Sequence, residues 1–369
     1  MKNRPSRHVA LSTRIALAAA LTAVLWLHPV SVSAALTWDT STLTQIYNPG
    51  TYLGGSYYSY APSVSDNGTT ERIWSCHNKD SGVIRDHIFE TKLVNGVVVS
   101  SQPVLFPSAN GWDSYHNCDP SVVQGQFLYG GATYSYALFY LGNDVNGSSH
   151  NQIGVAFATN IDGPWVKYPS PLVTYPNNGQ WGVGQPSVTS VDGKGKILLF
   201  YSKKTAWDDS NTHGWRREMD LSDMSNPQTS VADGQITESG LTNSAGNQDW
   251  LDGFDVAYDQ SRDRFYMVRE QHPYPSDNPT YIGPNLQVDS IAGSSIWNGG
   301  GQWTAEGNVT PSLTGFPRNH NGGLQRTYYG MLPDPSSLRV VFTNSCAAAS
   351  CGSSIPEWTY TLWSITGHL

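Results

Sequence analysis

The chain has 369 residues and a formal net charge of −8; only 14% of its residues are charged, and Gly (36), Pro (22), Tyr (20) and Trp (13) are abundant. An acidic balance with no basic run beyond the first residues excludes a nucleic-acid partner, because phosphate backbones are held by clustered Lys and Arg. The Gly, Pro and aromatic content suits an all-β, turn-rich protein, since strands favour aromatic residues and tight turns need Gly and Pro.

In chain order, Lys2, Arg4, Arg7 and Arg14 precede the apolar run Ile15 to Leu27 and the small residues Ser31-Val32-Ser33-Ala34. This is the pattern of a secretory signal peptide over residues 1–34, cleaved near Ala34, which predicts a secreted or periplasmic protein. No other stretch approaches the roughly 20 apolar residues of a membrane helix, so no membrane partner is expected. Residues 35–369 then read as one domain of diverged repeats, and a monomer is expected.

Three repeats open with related tetrads: Ala61-Pro62-Ser63-Val64, Asp119-Pro120-Ser121-Val122 and Gln185-Pro186-Ser187-Val188. Phe254-Asp255-Val256-Ala257 and Gly323-Leu324-Gln325-Arg326 take the same place in two further repeats, at a spacing of roughly 60 to 70 residues. A second strand follows each opening: Arg72 to Ser75, Leu138 to Leu141, Leu198 to Tyr201, Phe265 to Val268 and Val340 to Thr343. All are rich in β-branched and aromatic residues. The period suits a four-stranded blade, so the predicted fold is a five-bladed β-propeller, with blades of four antiparallel strands around a central channel. The last repeat ends with its third strand, Thr359 to Ile365, leaving the outer strand of that blade to the N-terminal segment Leu36 to Tyr47.

Cys76 ends the second strand of blade one and Cys118 precedes the inner strand of blade two, on the same predicted rim, so a Cys76–Cys118 disulfide is expected. Cys346 and Cys351 fall in one loop of blade five and form a local staple. An even count in an exported chain favours bridges, and the spacing matches no common zinc pattern.

A chain of five repeats with Asp-Pro-Ser-Val at an inner-strand start resembles the five-bladed propeller glycoside hydrolases, such as families 43 and 62 and the fructan-cleaving families, across nearly the whole exported chain. The resemblance implies a carbohydrate substrate bound at the mouth of the channel, where acidic residues from different blades converge. It implies that Asp119 orients the acid and tunes its proton affinity. Two positions depart from the pattern: Ala61 stands where the family has its catalytic aspartate, and Gln185 near where it has its acid glutamate. That leaves open relocated carboxylates, a propeller that binds glycans without cleaving them, or a different register.

Loops at the same face supply further catalytic candidates. Asp86 opens a third strand beside His77 and His87 and is a candidate base or nucleophile; Asp255 and Glu270 of blade four, with Asp252 close by, are candidate proton donors. Glycoside hydrolysis needs two carboxyl groups of this kind. Trp112, Trp181 and Trp250 each precede an inner strand, on a rim where indole faces stack on sugar rings or pack between blades. His320 and Arg326 complete the expected substrate-binding set, and Arg326 with His77, His87 and His320 also permits a polysaccharide lyase as a third reading. No cofactor is expected. The family resemblance allows a structural channel ion such as calcium, but no metal-ligand motif is present.

Overall fold

The structure, a computed structural model, describes residues 35–174, 179–204, 212–352 and 355–369. The expected signal peptide lies outside the described residues. Among those described, no helix is long and apolar enough to cross a membrane.

The described chain is all-β. It begins with β1 (Thr37–Tyr47), followed by β2 (Ser59–Asp66), β3 (Thr70–Asn78), β4 (Asp86–Val94) and β5 (Val97–Leu105). The next group is β6 (His116–Tyr129), β7 (Ala132–Asn143), β8 (Gln152–Ala158) and β9 (Val166–Lys167). Then come β10 (Gly182–Ser190), β11 (Lys196–Lys204), β12 (His213–Asp220) and β13 (Gln228–Gln235), and after them β14 (Asp255–Asp259), β15 (Arg264–Gln271), β16 (Asn285–Ala292) and β17 (Thr304–Val309). The chain closes with β18 (Arg318–Arg326), β19 (Ser337–Ser345) and β20 (Thr361–His368). Helix is confined to short turns such as Pro49–Leu53 and Gly293–Asn298.

Within each group, neighbours in sequence pair antiparallel. The groups β6–β9, β10–β13 and β14–β17 are separate open sheets of four strands. The groups expected as blades one and five instead form one open sheet of eight strands, in the order β1-β20-β19-β18-β2-β3-β4-β5. Its two halves meet through a short parallel pairing of Gln325 with Val64 and Arg326 with Ser65. Gly323 permits this approach, because a Cβ there would stand 2.1 Å from the Pro62 carbonyl oxygen. As expected, the N-terminal strand β1 supplies the outer edge of the last group by pairing with β20.

The second strands are rich in apolar residues, unbroken in Leu198 to Tyr201, because both of their faces are buried. In β11, Ile197, Leu199 and Tyr201 join a core with Val123, Phe139 and Phe157 of the preceding sheet. Leu198 and Phe200, on the opposite face, join Phe254, Val256 and Met267 of the following sheet. Alternating side chains of one strand point to opposite faces, so one run serves two cores. The same holds around the molecule: Trp74 and Ile88 pack on Val122 and Leu138, Val268 and Leu286 on Leu324 and Val340, and Val64 and Ile73 on Val341 and Leu362. Each such buried side chain contributes roughly 1.5–3 kcal/mol of transfer free energy.

Candidate active site

The site is built on a repeated backbone irregularity. Register breaks fall between Tyr60 and Ser63 in β2, Cys118 and Ser121 in β6, Gly184 and Ser187 in β10, and His320 and Gly323 in β18. At each break one residue is left-handed: Ala61 (φ 50°), Asp119 (φ 46°), Gln185 (φ 52°) and Asn321 (φ 39°). Gly253 (φ 53°) takes the same conformation just before β14. A bulge of this kind re-aims side chains at the end of a strand, and a non-glycine residue there costs about 1–3 kcal/mol of strain. The five residues and their successors Pro62, Pro120, Pro186, Phe254 and Gly322 line one small pocket, which makes them equivalent positions.

This equivalence corrects the register of the last two repeats. Their counterparts of Asp119-Pro120-Ser121-Val122 are Gly253-Phe254-Asp255-Val256 and Asn321-Gly322-Gly323-Leu324, so Asp255 occupies the serine position rather than the proline position. The serines have a common purpose. Arg326, 1% exposed, donates through one terminal nitrogen to Ser63 Oγ (3.1 Å) and Ser121 Oγ (3.3 Å). Its other terminal nitrogen donates to Ser187 Oγ (3.1 Å) and to the carbonyls of Val188 (3.4 Å) and Val256 (3.2 Å), and lies 3.2 Å from Asp255 Oδ1. Asp255 also accepts from Ser187 Oγ (2.6 Å) and the Leu324 amide (2.9 Å). Asp255, on the wall of the small pocket, is thus bound to Arg326 behind it, and neither lines the larger cavity beside it.

That cavity has a volume of about 630 Å³. Asp86, Asp119, Asp252, Glu270 and Glu357 line it, together with Tyr58, Tyr60, Trp181, Tyr274, Tyr281, Tyr360, His116 and His320. Asp86 opens β4, where Tyr58 Oη donates to Oδ1 (2.7 Å) and His116 Nδ1 lies 2.7 Å from Oδ2. Asp119 is turned in by its bulge. Burial pushes its carboxyl up to about 7, and Asp86 and Asp252 add to the shift while the Gln185 amide and His320 oppose it. Asp252 is raised chiefly by burial, with Glu270 adding and His272 and the Tyr274 hydroxyl (3.2 Å from Oδ2) opposing. Glu270, 1% exposed, accepts on Oε1 from the Asn321 amide (2.8 Å) and lies 2.6 Å from His320 Nδ1; Oε2 has no hydrogen-bond partner among the described residues.

Of the residues singled out from the sequence, Asp86, Asp119, Asp252, Glu270, Trp181 and His320 come together at this cavity. The others stand away from its walls for identifiable reasons. Trp112 stacks on Tyr140 (centroids 5.7 Å apart), fits against Gly142 and Gly154, and donates from Nε1 to the Pro169 carbonyl (3.1 Å). Trp250 lies on the His272 ring (3.8 Å), which Asp249 holds at Nδ1 (2.8 Å). The buried His77 stacks on Phe89 (4.0 Å), and burial pulls its pKa down to about 4. His87 sits edge-on to Phe106 (5.6 Å) with Nδ1 at the Arg85 carbonyl (3.0 Å), and burial lowers its pKa too.

Residues not singled out from sequence include His116, Tyr58, Tyr60, Tyr274, Tyr360 and Glu357. His116 lies two positions before Cys118, on the approach to an inner strand, and that location was the available signal. Both expected disulfides are present, Cys76–Cys118 and Cys346–Cys351. Cys76, Cys118 and Asp119 cluster closely enough to hold an ion, but both sulfurs are tied in the bridge and offer no thiolate.

No protein-family model matches the chain, and no curated protein matches it. Solved structures do. An α-L-arabinofuranosidase from Podospora anserina in complex with cellotriose superposes with a TM-score of 0.56 at 14% identity, covering 90% of this chain and 97% of that one. A family 43 enzyme from Xanthomonas citri complexed with xylotriose gives 0.55 at 14% identity, covering 87% and 89%. A family 117 glycoside hydrolase from Zobellia galactanivorans gives 0.57 at 12% identity, covering 91% of each. The chain shares its fold with these glycoside hydrolases, at a distance that leaves the chemistry to its own residues.

Proposed function

We propose that this chain is an exported glycoside hydrolase built as a five-bladed propeller, which cleaves an uncharged polysaccharide or oligosaccharide in the cavity around Asp119. The observation that carries this reading is the convergence of Asp119 and Asp86 on one cavity, where burial raises the Asp119 carboxyl to about 7. A glycosidase needs one carboxyl group that keeps its proton until the leaving oxygen takes it, and another that stays ionised to activate water or attack the sugar.

In this assignment Asp119 donates the proton and Asp86, oriented by Tyr58 and His116, is the base or nucleophile. The opposite wall, with Glu270 against His320 and Asp252 against Tyr274, orients the sugar. Trp181 supplies a stacking face and the tyrosine hydroxyls supply hydrogen bonds. Four acidic residues besides Asp119 among the described walls favour an uncharged glycan over a uronate. The lyase reading loses its support, because Arg326 is spent beneath the floor and is not free to neutralise a uronate. The fold shared with carbohydrate-cleaving enzymes and the paired cysteines support the enzymatic and exported parts of the reading.

The test is a screen of the purified protein on a polysaccharide panel with reducing-end detection, followed by aryl glycosides of the best substrate. Asp119→Asn should retain activity on aryl glycosides with good leaving groups, which need little protonation, and Asp86→Asn should lose activity on all. Sparing of Glu270→Gln instead would move the acid role to Glu270. Ala61 and Gln185, with Gly253 and Asn321, leave four of the five equivalent positions without a carboxylate, which favours a second reading as a glycan-binding propeller. Sugar binding without new reducing ends would establish that reading.

A further inference from the structure

The Cys76–Cys118 bridge does more than its location between two sheets requires. The sheets containing β3 and β6 already share a core, in which Trp74 and Ile88 pack on Val122, Leu138 and Tyr140. The bridge lies above that core, in the cavity wall, where Cys118 is a lining residue. Its atoms are engaged by the site itself. The bulge breaks the ladder between Cys118, paired with Leu141, and Ser121, paired with Phe139, so the Asp119 amide has no place in the antiparallel register. That donor is taken by sulfur: Asp119 N–H donates to Cys76 Sγ (2.9 Å). A donor so placed needs a partner, and without one the local backbone would turn toward another acceptor. The Tyr60 hydroxyl donates to Cys118 Sγ (3.1 Å), and Tyr60 in turn meets Tyr360 edge-on across the cavity (centroids 5.7 Å apart).

We propose that the Cys76–Cys118 bridge is a positioning element of the active site, which holds the Asp119 backbone in its left-handed turn and so keeps the carboxyl pointed into the cavity beside Asp86. The inference rests on the reading of this cavity as a glycosidase site only for its catalytic consequence. The positioning itself is a property of the fold. With the bridge removed, the amide loses its acceptor, the turn relaxes, and the carboxyl reaches water more easily. Its proton affinity then falls toward the ordinary carboxylate range, because burial is the leading cause of its elevation.

The experiment compares the parent with Cys76→Ala/Cys118→Ala, which leaves no acceptor at either position, and with the volume-refilling pair Cys76→Val/Cys118→Ala. Cys346→Ser/Cys351→Ser serves as a bridge-loss control within a single loop. Near-UV circular dichroism checks the fold, and carboxyl ¹³C NMR, assigned through Asp119→Asn, follows the Asp119 titration without reference to activity. The parent should titrate near 7, and the bridge-free variants lower. Their turnover should fall by about a hundredfold, the usual effect of a misplacement near 1 Å, and the alkaline limb of the pH–rate profile should move to lower pH. The control should match the parent in both respects.

An Asp119 midpoint in the ordinary carboxylate range in the parent, or one that does not move when the bridge is lost, overturns the proposal. A fall in rate at an unchanged pH profile overturns it as well, since that marks a general loss of structure. Should the parent cleave no glycan while the Asp119 midpoint still follows the bridge, the glycosidase reading fails and the positioning role stands.

Discussion

Replacing Arg326 by Met tests the idea that the guanidinium fastens the first strands of the sheets together. Met keeps a long unbranched stem in the space but removes the charge and all five of its hydrogen bonds to Ser63, Ser121, Ser187, Val188 and Val256. It also strands Asp255, 8% exposed, as a buried carboxylate without its cation. Breaking a buried ion pair from one side costs about 3–5 kcal/mol. Asp255 keeps its bonds from Ser187 and Leu324, which places the expected loss at the low end, about 3 kcal/mol. Against a total stability of roughly 5–15 kcal/mol, that is a large fraction. The assay is urea unfolding followed by tryptophan fluorescence, with Asp255→Leu and the double variant completing a mutant cycle. Removing both partners of a buried pair is often close to neutral, so the double variant should recover much of the loss. Arg326→Met within about 0.5 kcal/mol of the parent, the range of ordinary surface substitutions, would refute the reasoning. So would a double variant as unstable as the sum of the singles.

On its best natural substrate, Asp86→Asn and Asp119→Asn should each lower turnover by about a hundredfold or more with the fold intact, measured as initial rates of reducing-end release. The two tryptophans should separate by phenotype. Trp181→Ala should weaken oligosaccharide binding by on the order of 1–3 kcal/mol in a fluorescence titration, whereas Trp112→Ala should lose about 3 kcal/mol of stability and leave binding nearly unchanged. The raised carboxyl of Asp119 also makes stability depend on pH. Its folded value near 7 lies above the ordinary 3.8, so the folded state holds the proton more tightly. Its contribution is therefore fully present below about pH 4 and lost as the pH rises to about 7. Unfolding free energies of the parent should fall over that window more steeply than those of Asp119→Asn, and equal slopes would contradict the assignment.

Much of the architecture was legible in the chain because its causes are local and repeated. The apolar runs Leu198 to Tyr201 and Val340 to Phe342 are unbroken since alternate residues feed two different cores. The Pro-Ser-Val openings recur because each serine must meet one guanidinium. Both cysteine pairs followed from position alone. Asp86, Asp119 and Glu270 could be singled out because carboxylates at strand ends, next to His or Pro, stand out from their surroundings.

What only the tertiary structure decided is where each of these side chains points. Asp252 and Asp255 are three residues apart, yet one faces the cavity beside Tyr274 and the other lies in the small adjoining pocket against Arg326. A bulge shifts the alternation of a strand by one place, and in diverged repeats such as Gly253-Phe254-Asp255 and Asn321-Gly322-Gly323 the sequence does not mark where that shift falls. The partners that settle the matter arrive from distant parts of the chain: Arg326 for Asp255, His116 for Asp86, and the sulfur of Cys76 for the Asp119 amide. The sequence of a strand sets which residues alternate; the contacts made between sheets set which of the two faces becomes the site.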